Sequence, residues 1–195
     1  MDTYQSLKEK IEFCGVDESY GPTGRGWDIQ QNPAELAAFI LRLYDMGFAP
    51  GSEHKILEVG TGSGGLYRFL RNMMKWNTYV IDVKEPEPWH LKDHYCKSKL
   101  DHDIAQRWMV RQGNKFDLVF IDADRSYESM KKCQEIYLPL TQVFAFHGTS
   151  GLRGCEGVKQ FYDEADRESK SGKIYVCGKA EAPGPMRAGI GWIIP

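Results

Sequence analysis

Four groups of residues in this chain have the types and spacing that chemistry needs. The first is the stretch "KILEVGTGSGG", residues 55–65, an apolar run that reaches an acid, Glu58, and then breaks into glycine. Gly60, Gly62 and Gly65 fit the G-x-G-x-x-G pattern of dinucleotide sites, and Gly60, Gly62 and Gly64 fit the G-x-G-x-G of S-adenosylmethionine sites. Glycines there allow positive φ and a close approach of backbone to ligand. The second is Asp82, at the end of the run "TYVIDV" and 22 residues beyond Gly60, where an acid can accept hydrogen bonds from ribose hydroxyls. The third is the pair Asp122 and Asp124 at the end of "DLVFID" and just after it; the fourth is His147, closing "QVFAFH". Turn and Asp82 together imply an adenosine cofactor. Glu58 separates the two kinds: a carboxylate before the turn repels a pyrophosphate, but favours the sulfonium and ammonium groups of S-adenosylmethionine. An acid that merely caps the turn is the plain structural alternative.

The elements that must position these residues follow from periodicity. Asn32 and Pro33 start a helix with Leu36, Phe39, Ile40, Leu43 and Tyr44 on its apolar face and Gly47 at its end. "YQSLKEKIEFC" reads as a shorter amphipathic helix, and "DESYGPTGRGWDIQ" as a glycine-rich loop. From residue 55 onward, short apolar runs at 55–59, 78–83, 94–98, 117–122, 142–147, 173–178 and 189–194 alternate with helical patterns at 64–74, 101–112, 127–137 and 155–169. That alternation predicts an α/β, Rossmann-like fold. Its seven-stranded, mostly parallel sheet carries helices on both faces and an antiparallel C-terminal strand. "KAEAPGPMRA" suits a hairpin between the last two runs, and "KEPEPWHLKD" a shortened crossover. One domain is expected, with residues 1–50 as a helical segment and loop covering the site and 51–195 as the core.

Composition excludes several partners. A net charge of −2 and the lack of a basic stripe argue against a nucleic-acid backbone. No Asn/Asp-Pro-Pro-aromatic turn for gripping an extruded base follows the fourth run, which continues "DADR". No apolar run nears the ~18 residues of a membrane span, and the N-terminus lacks a signal pattern. A cytoplasmic location is the expectation. Cys14, Cys96, Cys133, Cys155 and Cys177 form no C-x-x-C and read as small buried hydrophobes, with Cys155, in the loop "GTSGLRGCEG", the one expected nearest solvent.

"ILEVGTGSGG", "VIDV" and "FDLVFIDADRSYESM" resemble class I S-adenosylmethionine-dependent methyltransferases, most closely the cephalosporin-hydroxylase-like and small-molecule O-methyltransferase branch. The resemblance runs from "GWDIQQNPAELAAFI" to "GIGWIIP". It implies methyl transfer from S-adenosylmethionine to a hydroxyl of a small molecule or sugar. Glu58 would serve the methionine end; Gly60, Thr61, Gly62, Ser63 and Gly64 would line the cofactor; Asp82 would hold the ribose. Val83 would lie near the adenine, and Ser98 or Asp101 would reach its amino group. Gln30 and Gln31 would close over the methionine carboxylate, if they are more than a solvated loop. In metal-dependent relatives the acid matching Asp122 holds a divalent cation, Mg2+ by preference, here with Asp124 beside it. Two departures count against the metal: Arg125 and Gly148 stand where relatives commonly carry histidine and aspartate.

For catalysis Asp122 is expected to face the site and His147 to act as general base, with a loop-bonded histidine as the alternative. Arg125 is expected to pair with Asp124 or to steer an acidic acceptor, and Arg153 to meet an anionic group. Two other readings stay open. One is a non-catalytic S-adenosylmethionine-binding or regulatory protein, the other an NAD-dependent oxidoreductase. Monomer and homodimer are both compatible with the sequence.

Overall fold

The computed structural model describes residues 2–16, 27–84, 94–99, 103–151, 154–168, 170–174 and 188–195. Two helices come first, α1 (Tyr4–Val16) and α2 (Pro33–Asp45). Asn32 caps α2 by accepting hydrogen bonds from the amides of Ala34 (3.0 Å) and Glu35 (3.3 Å), and Pro33 occupies the first helical position, where an N–H has no partner to lose. The helix runs out at Gly47, whose φ of +97° suits only glycine at that exit.

The strands are β1 (Lys55–Val59), β2 (Asn77–Asp82), β3 (Tyr95–Lys97), β4 (Phe116–Ile121), β5 (Thr141–His147), β6 (Lys170–Ile174) and β7 (Ile190–Ile194). They form one sheet in the order β3-β2-β1-β4-β5-β7-β6. Neighbours from β3 to β5 are parallel, and β7 lies antiparallel between β5 and β6. Between the strands come α3 (Gly65–Arg68), which continues as a π-helical turn over Phe69–Met73, then α4 (Asp103–Arg111), α5 (Tyr127–Tyr137) and α6 (Glu156–Glu168).

The sixth strand differs from the expected 173–178. It occupies Lys170–Ile174, three residues earlier, paired with β7 from Lys170↔Ile194 to Ile174↔Ile190. Ladder pairing rather than the apolar run sets its position: the best-paired residues on β6 include polar ones that a hydrophobicity count passes over. The remainder of that run, Asp101, Arg153, the connection from residue 85 to 93 and the loop from 17 to 26 lie outside the described residues.

Two apolar clusters sandwich the sheet. On one face Ile56, Leu118, Phe120 and Val143 pack with Leu7, Ile11 and Cys14 of α1, Leu36, Phe39 and Ile40 of α2, and Phe69 after α3. On the other, Leu57, Val59, Ile81, Val119 and Phe144 pack with Met109 of α4, Met130 and Cys133 of α5, and Phe161 of α6. Strands buried on both faces need near-continuous apolar sequence, which is why "KILEV" and "DLVFI" do not alternate. The N-terminal helices thus share a core with the sheet, and the segment before α2 crosses the C-terminal ends of the strands. Among the described residues no helix is long and apolar enough to cross a membrane.

Candidate active site

The glycine turn after β1 is shaped first by its own chain. Gly60 has φ +84°, and a Cβ there would lie 2.5 Å from the Asp122 carbonyl oxygen and 2.7 Å from Ala123 Cα. Gly65 is pressed equally hard, since a Cβ would come within 2.4 Å of the Trp27 carbonyl oxygen and 2.6 Å of that of Asp28. So the turn is gripped between the loop after β4 and the segment before α2, a second reason for glycine beside access to a ligand. Gly64, at φ +82°, leads into α3.

Asp82 locks the turn from β2. Its Oδ2 accepts from the amides of Thr61 (2.8 Å) and Gly62 (3.1 Å), and its Oδ1 accepts from the amide of Lys84 (2.8 Å). A carboxylate has about four acceptor sites, about two on each oxygen. Oδ2 has both filled by amides, so Oδ1 keeps capacity for one ribose hydroxyl.

On either side of this turn lie two cavities. The larger, of about 650 Å³, is walled by Gly60, Gly62, Asp82, Val83, Ser98 and Asp122, with Asp124 and the first turn of α5 opposite. It lies beyond the carboxyl ends of the strands, where open α/β sheets take ligands. Ser98 is buried there with its hydroxyl unpartnered. The smaller, of about 50 Å³, is lined by Glu58, Thr61, Ser63, Gln30, Gln31 and Arg125, among others. Gly60, Gly62 and Asp122 border both. Of the expected cofactor contacts among the described residues, only Gly64 touches neither cavity.

The smaller chamber concentrates buried polar atoms without partners: Glu58 Oε2, Thr61 Oγ1 and Gln31 Oε1. Native interiors rarely leave such atoms unpaired unless a ligand or water completes them. Glu58 is 1% exposed. Burial first, and the charge of Asp122 second, push its carboxyl well above the usual range; the nearby Thr61 hydroxyl opposes this without a formed hydrogen bond.

That displacement has a consequence for stability. The folded chain binds the Glu58 proton more tightly than the unfolded chain does. Stability of the ligand-free protein therefore falls as pH rises from the usual value of 4.5 toward the folded one. The loss is about 1.4 kcal/mol for each unit that separates the two values. Glu58→Gln cannot ionise and escapes it. Between about pH 5 and about pH 8, thermal melts should show the difference in Tm moving in favour of the variant. A difference that stays constant across that range would contradict the assignment.

Asp122 is the hub of the site. Its Oδ2 accepts from Gln31 Nε2 at 2.7 Å, and its Oδ1 meets Arg125 at 3.1 Å. His147 Nδ1 lies 3.2 Å from Oδ2, an ion-pair distance without hydrogen-bond alignment. Burial works against the Asp122 charge, but His147 and Arg125 outweigh it and hold the carboxyl below its usual range. Asp122 in turn raises the Arg125 guanidinium against its own desolvation.

Three expectations are corrected here. Arg125 pairs with Asp122, not with Asp124, whose Oδ1 accepts from the Ser126 amide at 3.0 Å in a local turn. His147 is 2% exposed and lies against Asp122, its Nδ1 3.2 Å from Oδ2, lining neither cavity. Cys155 is fully buried, with the Arg125 guanidinium 3.7 Å from its sulfur.

The acids do not suit magnesium either. Asp122 is already neutralised by a guanidinium, Asp124 is committed to Ser126, and no cluster of three possible ligands exists among the described residues. Gly148 explains part of the departure: at φ +115° any side chain is strained, and a Cβ 3.3 Å from Cys155 would press on that residue.

Several wall residues were not anticipated, namely Lys84, Lys99, Glu128, Ser129 and Asp28. For all but Asp28 the signal was positional. Lys84 and Lys99 follow strand ends, and Glu128 and Ser129 open α5, where the chain must pass the ligand; Asp28 lies in the segment before α2 and carried no such signal.

No protein-family model matches the chain. Over 99 residues, 51% of its length, it is 29% identical to the tRNA (uracil-O(2)-)-methyltransferase of Schizosaccharomyces pombe, and this match covers 19% of that protein. Among solved structures, the METTL16 methyltransferase domain superposes with a TM-score of 0.61 at 13% identity, over 98% of this chain and 80% of that one. CalS11, a TDP-rhamnose 3'-O-methyltransferase of calicheamicin biosynthesis, gives 0.54 at 11% identity, over 100% and 96%. MycE, a methyltransferase of the mycinamycin pathway solved with Mg, SAH and mycinamycin VI, gives 0.54 at 12% identity, over 78% of this chain and 48% of its own. The chain thus spans about a fifth of that curated relative and about half of MycE. At these identities the structures show the fold, and it is one shared with S-adenosylmethionine-dependent methyltransferases.

Proposed function

We propose that this chain is an S-adenosylmethionine-dependent methyltransferase that acts on a hydroxyl of a small molecule or sugar. One observation carries the reading. A single glycine turn, clasped by Asp82, separates an adenosine-sized cavity from a small polar chamber whose buried Glu58, Thr61 and Gln31 each keep an atom unpartnered. Adenosine on one side and an amino-acid end on the other match that division. The Asp122 and Asp82 carboxylates together oppose a pyrophosphate there, which weighs against the nicotinamide reading.

When bound, the cofactor supplies an electrophilic methyl group on a sulfonium centre. The residues of the chain do the rest. Asp82 and Ser98 bind the ribose and base edges, and Val83 packs beside the base. Gln31, Glu58 and Thr61 hold the amino-acid end. Asp122 accepts a hydrogen bond from the acceptor hydroxyl and orients it, since methyl transfer depends mainly on alignment. It takes the hydroxyl proton as the oxygen–methyl bond forms and the methyl–sulfur bond breaks. His147 and Arg125 keep Asp122 ionised for that task, so His147 is a positioning residue in this scheme. No step uses a divalent cation, because the acids present do not fit one. The branch resemblance of "IDADRSYE" supports a hydroxyl as acceptor.

The match to a tRNA methyltransferase favours a second reading, in which the acceptor is a nucleotide of RNA. Incubation with methyl-tritiated S-adenosylmethionine separates the two. The partners offered are a panel of sugars and phenols, and yeast tRNA. Label in the small-molecule fraction is the expected result, and label in the tRNA alone would transfer the proposal to RNA. Retained cofactor binding with no label in either would leave the non-catalytic reading.

A further inference from the structure

Glu58 shares the small chamber with Asp122 but not its partners. Asp122 has Arg125 at 3.1 Å and His147 at 3.2 Å, whereas Glu58 Oε2 has no partner at all. Two buried carboxyls side by side do not both ionise unless each finds a cation. The charged and titratable groups around Glu58 come from every neighbouring element. Asp122 and Arg125 lie on the loop after β4, with His147 of β5 against Asp122. Asp82 at the end of β2 adds a second negative charge, Tyr67 on α3 has its hydroxyl unpartnered with Arg71 5.9 Å over its ring, and Asp28 closes the chamber from the N-terminal segment. Among the described residues, the one cation lining the chamber, Arg125, is committed to Asp122. In the ligand-free chain Glu58 therefore keeps its proton.

We propose that Glu58 gives up one proton when the amino-acid end of the cofactor enters this chamber, and so selects adenosine ligands that carry a cationic amino group. The inference rests on the cofactor reading above. The balance is simple. The Glu58 O–H bond breaks, the proton leaves to solvent, and the carboxylate left behind is met by the incoming ammonium group. No redox change and no other bond is involved. An adenosine ligand without the amino-acid end offers no cation, so Glu58 stays neutral and Oε2 stays unpartnered.

The test is titration calorimetry of the full chain with S-adenosylhomocysteine, in phosphate and in Tris, buffers of very different ionisation enthalpy. About one proton released per ligand is expected, with affinity rising about tenfold per pH unit while free Glu58 is protonated. 5′-Methylthioadenosine should bind with no proton released. Glu58→Gln should bind S-adenosylhomocysteine with no release and a flat pH profile. Should that variant fail to fold, the intact chain still answers through infrared spectroscopy: a carboxylic acid C=O band should vanish on adding S-adenosylhomocysteine and persist with 5′-methylthioadenosine. Binding of S-adenosylhomocysteine without proton release, or with release unchanged in Glu58→Gln, overturns the inference and leaves the cofactor reading standing. Failure of the intact chain to bind either ligand overturns the cofactor reading, and this inference with it.

Discussion

Asp82→Ala is expected to bind S-adenosylhomocysteine at least about 100-fold more weakly than the intact chain. Two losses combine. A hydrogen bond to a charged group contributes about 1.5–3 kcal/mol, so removing the acceptor for a ribose hydroxyl accounts for about one to two powers of ten. The variant also releases the amides of Thr61, Gly62 and Lys84, all held by that carboxylate. The glycine turn then loses the clamp that sets its shape before any ligand arrives. Asp82→Asn keeps one acceptor oxygen and should fall between. Calorimetric titration of the three proteins decides the matter: equal affinities for Asp82→Ala and the intact chain would remove Asp82 from the site.

Gly60→Ala should cause the largest loss of stability of any single methyl addition at the turn. The new Cβ would meet backbone, the Asp122 carbonyl oxygen at 2.5 Å and Ala123 Cα at 2.7 Å, in a residue already at φ +84°. Backbone cannot swing aside as a side chain can. Left-handed strain adds about 1–2 kcal/mol and overpacking about 1–3 more. For a chain of this length that lowers Tm by about 5–15 °C. Gly62→Ala is the control. Its φ is +54°, but the nearest atom to its Cβ is Gln30 Nε2 at 3.6 Å, a flexible side-chain end. It should cost about 1–2 kcal/mol. Equal melting temperatures for the two variants would show that Asp122 and Ala123 yield to the methyl group.

The contrast between these glycines also shows what the letters of the sequence carry. That Gly60 and Gly62 make a ligand turn is written locally, in an apolar strand that stops at glycine. That Gly60 is also pinned by residues more than sixty positions away is a product of β1 and β4 lying side by side, and only the assembled sheet reveals it. The strands β1, β2, β4 and β5 were legible for the same local reason: strands buried on both faces must be continuously apolar. Asn32-Pro33 announced α2 through capping chemistry alone. β6 was displaced because its position is set by pairing with β7. The site residues divide in the same way. Glu58, Asp82 and Asp122 were readable because they end strands at one edge of the sheet. The choice of Arg125 between Asp122 and Asp124, two residues apart, depends on the turn that Asp124 makes with Ser126. The placing of His147 against Asp122, outside both cavities, depends on side-chain direction at the last residue of a strand. Neither is encoded in spacing.

Gly148 sets an asymmetry between losing a carboxylate at this position and gaining one. A lineage with a carboxylate at that position could lose it in a single step. Regaining it is harder, since the present backbone is at φ +115° and a Cβ there would press on the Cys155 and Val158 side chains. An aspartate installed there alone would meet a left-handed backbone, a crowded wall, and an Arg125 already neutralising Asp122. The loop after β5, Cys155 and Arg125 would have to change together, and each change alone would leave a worse protein. Such mutual dependence works as a ratchet. Substitutions elsewhere in the loop are therefore easier for this chain to accept than an aspartate at 148.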